Sequence, residues 1–200
     1  MKQIVFSTGN PTKAKRFSKG LLKYDIEVLS LKDLNLKIDA DENGKDVIEN
    51  ALLKARECYK ITKMPTIGMD DSLYLEGIPE EFQPGLFVRR VNGKTLNDEE
   101  MLTHYKSLVT KYGDNGKLNC KWIYGLAVID ENGEEYTYTW EKANFYMVDT
   151  ESEKINPGYP LNTISKYKVI DKYFTDTTDE DLKKIEVNED HVVEFIKKHV

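Results

Sequence analysis

Three β-forming apolar residues, Ile4, Val5 and Phe6, run directly into Ser7-Thr8-Gly9-Asn10-Pro11-Thr12-Lys13, and an amphipathic helical stretch follows before the chain turns extended again at Ile26. Strand, helix, strand in that order leaves few topologies: the two strands must lie parallel, with the helix crossing over them. Asn10 followed by Pro11 reads as an N-cap with proline at the first helical position. The N–H groups of such a first turn have no partner inside the helix. With the Gly9 backbone, the hydroxyls of Ser7 and Thr8 and the Lys13 ammonium, they make a receiving point for an anion, and a triphosphate tail matches it. Strand-to-helix turns also favour Thr, Gly, Asn and Pro for conformational reasons alone, and this segment by itself does not separate the two readings.

Composition narrows the partners. Two hundred residues, 40% apolar and 32% charged, are enough for one domain over residues 1–200, of one lobe or two, with a substantial core. A formal net charge of -6 argues against a broad nucleic-acid-binding face, which needs basic surface. An acidic chain that takes a polyanion must do so locally, with placed Lys and Arg and a divalent cation to offset its own carboxylates. Lys13, Lys15, Arg16, Lys19 and Lys23 concentrate positive charge beside the first turn, mostly as a solvated helix face. No apolar run approaches membrane-spanning length and Met1 leads straight into a strand, so a cytoplasmic protein without a membrane partner is expected. Cys58 and Cys120 lie far apart without metal-type spacing, and His104, His191 and His199 lack acidic or cysteine partners at ligand spacing. Walker-type and GxGxxG patterns are absent from the sequence.

Periodicity orders the rest. Phe17, Leu21 and Leu22 form the stripe of one first helix, and residues 26–31 form a second strand. An acidic connection at 39–44 leads into a helix over 46–63 that Asp46 and Glu49 open in capping-box fashion. A strand over 65–69 is expected to stop at Asp70-Asp71-Ser72, with extended pieces at 73–75 and 86–91 and a turn at Asn92-Gly93. Asn97 caps the clearest helix in the chain, and two long β segments, 118–130 and 134–148, flank Glu131-Asn132-Gly133 as a hairpin. Tyr136, Tyr138 and Trp140 read as sheet packing ahead of a base-stacking platform. A closing helix is expected over 188–198, and residues 155–180 resist assignment. The fold class that emerges is α/β with a long mixed β-sheet, parallel pairs early and an antiparallel hairpin late.

Polar groups cluster at the ends of these elements: Thr8, Asn10 and Lys13; Glu42; Asn50 and Lys54; Asp70, Asp71 and Ser72; Arg90. In open α/β sheets ligands gather at the carboxyl ends of parallel strands, where the first turn and the aspartate pair would both lie. Carboxylates such as Glu42 and Asp71 suit Mg²⁺, while the lysines and helix N-terminus suit phosphates, so phosphoryl chemistry with an attacking water is the outline.

Taken in order, Thr8-Gly9-Asn10-Pro11-Thr12-Lys13, Glu49-Asn50-Ala51-Leu52-Leu53-Lys54-Ala55, Asp70-Asp71-Ser72 and Pro84-Gly85 followed by Arg90 resemble the inosine triphosphate pyrophosphatase (Ham1-like) family, over roughly the first half of the chain. The resemblance implies a long central mixed sheet flanked by helices, two lobes with a nucleotide cleft between them, and a homodimer. It implies Mg²⁺-dependent hydrolysis, with Mn²⁺ as an alternative metal, of a nucleoside triphosphate such as ITP, XTP or dITP to the monophosphate and pyrophosphate. By matching position, Ser7, Thr8, Gly9, Asn10 and Lys13 would hold the triphosphate. Glu42, Asp70 and Asp71 would bind metal, and Asp71 would also activate water. Lys54 would neutralise phosphate charge, Asn50 would fix the loop, and Ser72, Arg90 and Tyr159 would touch substrate. The second half departs from the family pattern: Asn156-Pro157-Gly158-Tyr159-Pro160-Leu161 stands where Gly-Phe-Gly-Tyr-Asp-Pro is expected, Asp190-His191-Val192 where Ser-His-Arg is expected, and Leu73 replaces a glycine. Those changes fall on base recognition more than on phosphate chemistry, which leaves an altered base preference, a nucleotide sensor without turnover and a purely structural role as alternatives.

Overall fold

In the computed structural model, residues 1–9, 11–38, 40–185 and 189–200 are described, with the side chains of Pro11 and Thr12 set aside. The expected cap at Asn10, the first residue of the acidic connection (Asp39) and the expected start of the closing helix (Asn188) lie outside the described residues.

The opening is the parallel β–α–β unit that the sequence demands. Strand β1 (Lys2–Phe6) pairs in parallel with β2 (Ile26–Ser30), with Ile4 opposite Val28. Between them stand two helices where one was expected, α1 (Pro11–Lys15) and α2 (Ser18–Leu22). The break has a local cause: the Arg16 N–H closes a tight turn on the Lys13 carbonyl at 3.0 Å, and the Ser18 hydroxyl donates back to the Ala14 carbonyl at 3.0 Å. Back-bonding of this kind bends helices. Its consequence is that Phe17 is fully buried, stacked on Phe6 with ring centroids 6.2 Å apart.

Helix α3 (Val47–Thr62) follows, capped by Asp46, whose carboxylate accepts the N–H groups of Ile48 and Glu49, and ended by Lys63 in the left-handed region. It returns the chain to β3 (Thr66–Leu75), which pairs in parallel with β1 on the side away from β2. The expected stop at Asp70 does not occur. Strand β3 continues through both aspartates because their carboxylates find partners on the flanking helices, Asp70 at Asn50 and Lys54 of α3 and Asp71 at Lys13 of α1. Next come the short hairpin strands β4 (Arg90–Val91) and β5 (Lys94–Thr95), joined by Asn92 and Gly93 at positive φ, and then helix α4 (Asp98–Tyr112) with a complete Asn97–Glu100 capping box. The extended piece expected at 86–91 is therefore mostly turn.

Strands β6 (Lys117–Ile129) and β7 (Glu135–Val148) are hydrogen-bonded neighbours joined through Asp130–Glu134, and β8 (Ser165–Tyr167) adds antiparallel to β7. The region left unassigned holds β8 and α5 (Asp179–Lys184), and α6 (Asp190–Lys198) closes the chain. The six-stranded sheet runs β2-β1-β3-β6-β7-β8, mixed as expected.

Contacts divide the chain into two compact units, one of Met1–Asp71, Tyr124–Trp140 and Asn188–Val200, the other of Ser72–Ile123 and Glu141–Val187. In the first, alternation along β1 serves two helix layers: Val5 packs with Leu31 and Cys58 of α3, whereas the next residue, Phe6, meets Phe17. Tyr136, Tyr138 and Trp140 pack against α6, Tyr138 stacking on Phe195 at 5.0 Å and Tyr136 on His199 at 4.0 Å, as the sheet-packing reading expects. The second unit has its own core of Leu73, Leu75, Met101, Tyr105, Leu108, Phe145 and Met147.

Helix α3 lies so close to β3 that a Cβ on Gly68 would stand 2.0 Å from the Ala51 carbonyl oxygen and 2.8 Å from the Ala55 nitrogen. Both obstacles are backbone and cannot swing aside. Gly68→Ala is expected to cost about 3 kcal/mol in urea unfolding, whereas Gly9→Ala, whose Cβ meets nothing within 4 Å, changes stability little. Burial raises the Cys58 thiol above its ordinary range and pushes Cys120 up to about 12. Both thiols are therefore expected to resist iodoacetamide at about pH 8 in the folded protein and to react once it is unfolded.

Candidate active site

The residues singled out from the first half of the sequence meet at the carboxyl end of β1 and the middle of β3. Because side chains alternate along a strand, Asp70 shares the face of Gly68, against α3, and Asp71 takes the other. The pair is adjacent in sequence and divided by the sheet.

On the α3 face, Asp70 is buried and both its oxygens are used: Oδ2 accepts the Asn50 Nδ2–H at 2.9 Å and Oδ1 accepts the Lys54 ammonium at 2.7 Å. Asn50 and Lys54 are one helical turn apart on α3, so one helix face supplies both partners. Asn50 Oδ1 in turn accepts the Gly44 N–H at 2.8 Å, fastening the connection that carries Glu42. Glu42 then reaches the same Lys54 ammonium at 3.2 Å. Burial alone would lower the Lys54 pKa, but the attraction of Asp70 and Glu42 outweighs it and the net shift is upward. Lys54 is thus a fixed cation between two carboxylates, with a side chain only 14% exposed.

On the opposite face the Lys13 ammonium sits 3.1 Å from each oxygen of Asp71. The first turn joins the two sides, since the Ser7 N–H binds the Ile67 carbonyl and the Ser7 hydroxyl donates to the Lys54 carbonyl, both at 2.8 Å. That bond commits the Ser7 proton to the fold and leaves Ser7 an acceptor. Thr8 is half-buried and Gly9 exposed. Both also line a pocket of about 300 Å³ with Ser30 at the end of β2 and residues of the β2–α3 connection, among them Asn35 and Lys37. First turn, acidic pair and helix lysine therefore share one neighbourhood within the first unit.

Three other expected residues belong to the second unit. Ser72 is buried, Arg90 is exposed with its guanidinium 4.8 Å from the Phe87 ring centroid, and Tyr159 is half-buried.

One cluster beside the site was not legible in the sequence. Arg16 looked like one of five cations on a solvated face, yet its guanidinium is largely enclosed. Its Nε donates to Glu189 Oε2 at 2.7 Å, its Nη2 to Glu189 Oε1, and its Cζ lies 4.5 Å over the Tyr124 ring. The Trp140 indole N–H also donates to Glu189 Oε1, at 3.2 Å. Burial opposes the Arg16 charge, but Glu189 and Tyr124 overcome it and raise its pKa. Only the helix break at Phe17 turns Arg16 inward, and continuous periodicity conceals that break.

The sequence profile of the Ham1 family matches residues 4–186. This chain belongs to the Ham1 family. Among its relatives, the dITP/XTP pyrophosphatase of Leptospira interrogans serovar copenhageni is 31% identical over 134 residues, covering 67% of this chain and 66% of that protein. The dITP/XTP pyrophosphatase of Escherichia coli K12 is 28% identical over 127 residues, covering 62% and 63%. The chain thus matches just under two thirds of the length of these curated relatives. The solved Ham1 protein of Staphylococcus aureus superposes with a TM-score of 0.74 at 20% identity over the whole of both chains, and that of Coxiella burnetii with 0.72 at 20% over 99% and 98%. At that identity the likeness establishes the Ham1 fold. Among the described residues no helix is long and apolar enough to cross a membrane.

The two aspartates should separate in experiment. Asp70→Asn leaves the enclosed Lys54 ammonium short of its nearest charge partner and is expected to cost on the order of 3 kcal/mol in equilibrium unfolding. Asp71→Asn, in a more open position, should cost less than half as much.

Proposed function

We propose that this chain hydrolyses a nucleoside triphosphate between its α- and β-phosphates, releasing the nucleoside monophosphate and pyrophosphate. The observation that carries this reading is the meeting of the β1 turn, Lys13 and Lys54 at consecutive carboxylates of β3. Two ammonium groups already placed beside a glycine turn suit a polyphosphate, and the relatives named dITP/XTP pyrophosphatase act on compounds of that kind.

In this reading Lys13 leaves Asp71 for the incoming phosphates. The freed Asp71 carboxylate accepts a proton from the attacking water as its oxygen bonds to the α-phosphorus, and pyrophosphate departs with the electrons of the broken P–O bond. Lys54, held by Asp70 and Glu42, stays fixed and neutralises developing charge without reorganising. Thr8, Gly9 and Asn10 of the turn cradle the phosphates, while Ser7, whose N–H and hydroxyl are bound to the Ile67 and Lys54 carbonyls, holds the turn in place.

Mg²⁺ is the metal we assign, with Mn²⁺ as a substitute. Among the described residues no group of three His, Cys, Asp or Glu side chains forms a closed cage. The donors assigned, Glu42, Asp70 and Asp71, are all hard oxygens; Asp70 already gives both of its own to Asn50 and Lys54, so Glu42 and Asp71 are the ones that fit a cation held by one or two carboxylates and completing its shell with phosphate oxygens and water. When bound, Mg²⁺ supplies neutralisation of the phosphates and polarisation of the reacting centre.

A deaminated purine such as ITP, XTP or dITP is the first substrate to test, with altered base preference following from the departures in the second half. The protein would work in the cytoplasm. A binding module without turnover is the second reading, favoured by the fact that both Asp71 oxygens face Lys13.

Pyrophosphate release should appear in a screen of canonical and deaminated triphosphates with Mg²⁺, vanish with EDTA and return with Mg²⁺ or Mn²⁺. Asp71→Asn should lower kcat by about 10²- to 10⁴-fold. Calorimetric triphosphate binding with no turnover of any base would establish the binding module instead.

A further inference from the structure

We propose that Arg16 is a positioning residue for Lys13, and that its pairing with Glu189 thereby sets the affinity of the site for polyphosphate. The proposal rests on the phosphate-binding reading of Lys13 given above and adds to it what holds that lysine in place.

Helix α1 has five residues, too few to hold its shape by internal hydrogen bonds. Lys13 has a long flexible stem, so where its ammonium can reach depends on where that short helix is held. Its own side chain is paired with Asp71, the group it must release to a substrate. A second, permanent fixture is needed, and Arg16 is one: three residues on, on the same side of the turn, with its N–H bound to the Lys13 carbonyl at 3.0 Å.

Arg16 is tied to three separate elements. Glu189, at the entry to α6, takes two of its N–H groups, Tyr124 of β6 lies under its plane, and the Trp140 indole of β7 donates to the same Glu189 Oε1. Glu189 is the N-cap of α6, yet its side chain makes no capping bond, because it is turned to Arg16. A surface cation needs none of this. A planar guanidinium paired at two points fixes orientation as well as distance, which lysine at the same position cannot do.

The test uses the intact protein and inorganic tripolyphosphate with Mg²⁺ as the calorimetric probe, beside KM and kcat for ITP and ATP. Arg16→Lys and Glu189→Gln, each confirmed folded by circular dichroism, should weaken tripolyphosphate binding about tenfold and raise KM equally for both bases, with kcat little changed. In a Lys13→Met background either substitution should add less than about twofold, since the group being positioned is gone. Full additivity with Lys13→Met would overturn the proposal, as would a KM change confined to one base, which would make Arg16 a reader of the base. Normal tripolyphosphate affinity in both variants would overturn it alone. Failure of the wild type to bind tripolyphosphate would overturn the parent reading as well.

Discussion

The alternation of side chains at the ends of two neighbouring strands underlies the whole arrangement. Val5 faces α3 and Phe6 faces the α1–α2 pair, so helices that leave β1 and return to β3 lie on opposite sides of the same sheet. Two residues along β3 repeat the pattern with charge: Asp70 meets α3 and Asp71 meets α1. The site is therefore assembled at the point where the helix layers diverge, where open α/β sheets leave room for a ligand. Its precision comes from backbone contact, since Gly68 lets α3 approach β3 to a distance no other residue permits.

Charge is handled differently on the two faces. The α3 side is linked through Asp70, Asn50, Lys54, Gly44 and Glu42 in one network, with Asp70, Asn50 and Lys54 enclosed and Glu42 at its exposed edge. Removing one member of such a network strands the others in a poor solvent, so it behaves as a rigid unit. The α1 side is a single ion pair between partly exposed groups, and such pairs exchange partners at little cost. One face thus provides a fixed cation and the other a replaceable one, a division of labour that suits a site which must be preformed and still admit a ligand.

Much of this was legible in the sequence. The β–α–β opening, the Asp46 and Asn97 caps, the hairpin around Asn132-Gly133 and the clustering of Lys13, Asn50, Lys54 and the aspartates all follow from local rules with short range. What escaped depends on partners distant in sequence. Adjacent aspartates suggest a strand end because a lone strand cannot bury them; only α3, twenty residues earlier, makes Asp70 tolerable inside β3. One continuous helix over 11–22 satisfies the apolar periodicity, and nothing local reveals that Phe17 must reach Phe6 and Arg16 must reach Glu189. The motifs for phosphate chemistry are short and contiguous, whereas the Arg16 cluster draws on α6, β6 and β7 and has no contiguous signature.

The local charge balance carries one more step. Glu42, Asp70 and Asp71 are three carboxylates against the two ammoniums of Lys13 and Lys54, and Arg16 is cancelled by Glu189. The neighbourhood is thus net negative before any phosphate arrives, in a chain whose formal charge is already -6. Such a place does little to attract a polyphosphate by itself, because Lys13 uncovers Asp71 when it turns to one. Under the proposed function, affinity for a highly charged anion would call for a mobile cation that binds the uncovered carboxylate and the phosphates together. Metal and substrate would then enter as one neutralising unit, and the acidity of the site would make phosphate binding depend on the cation.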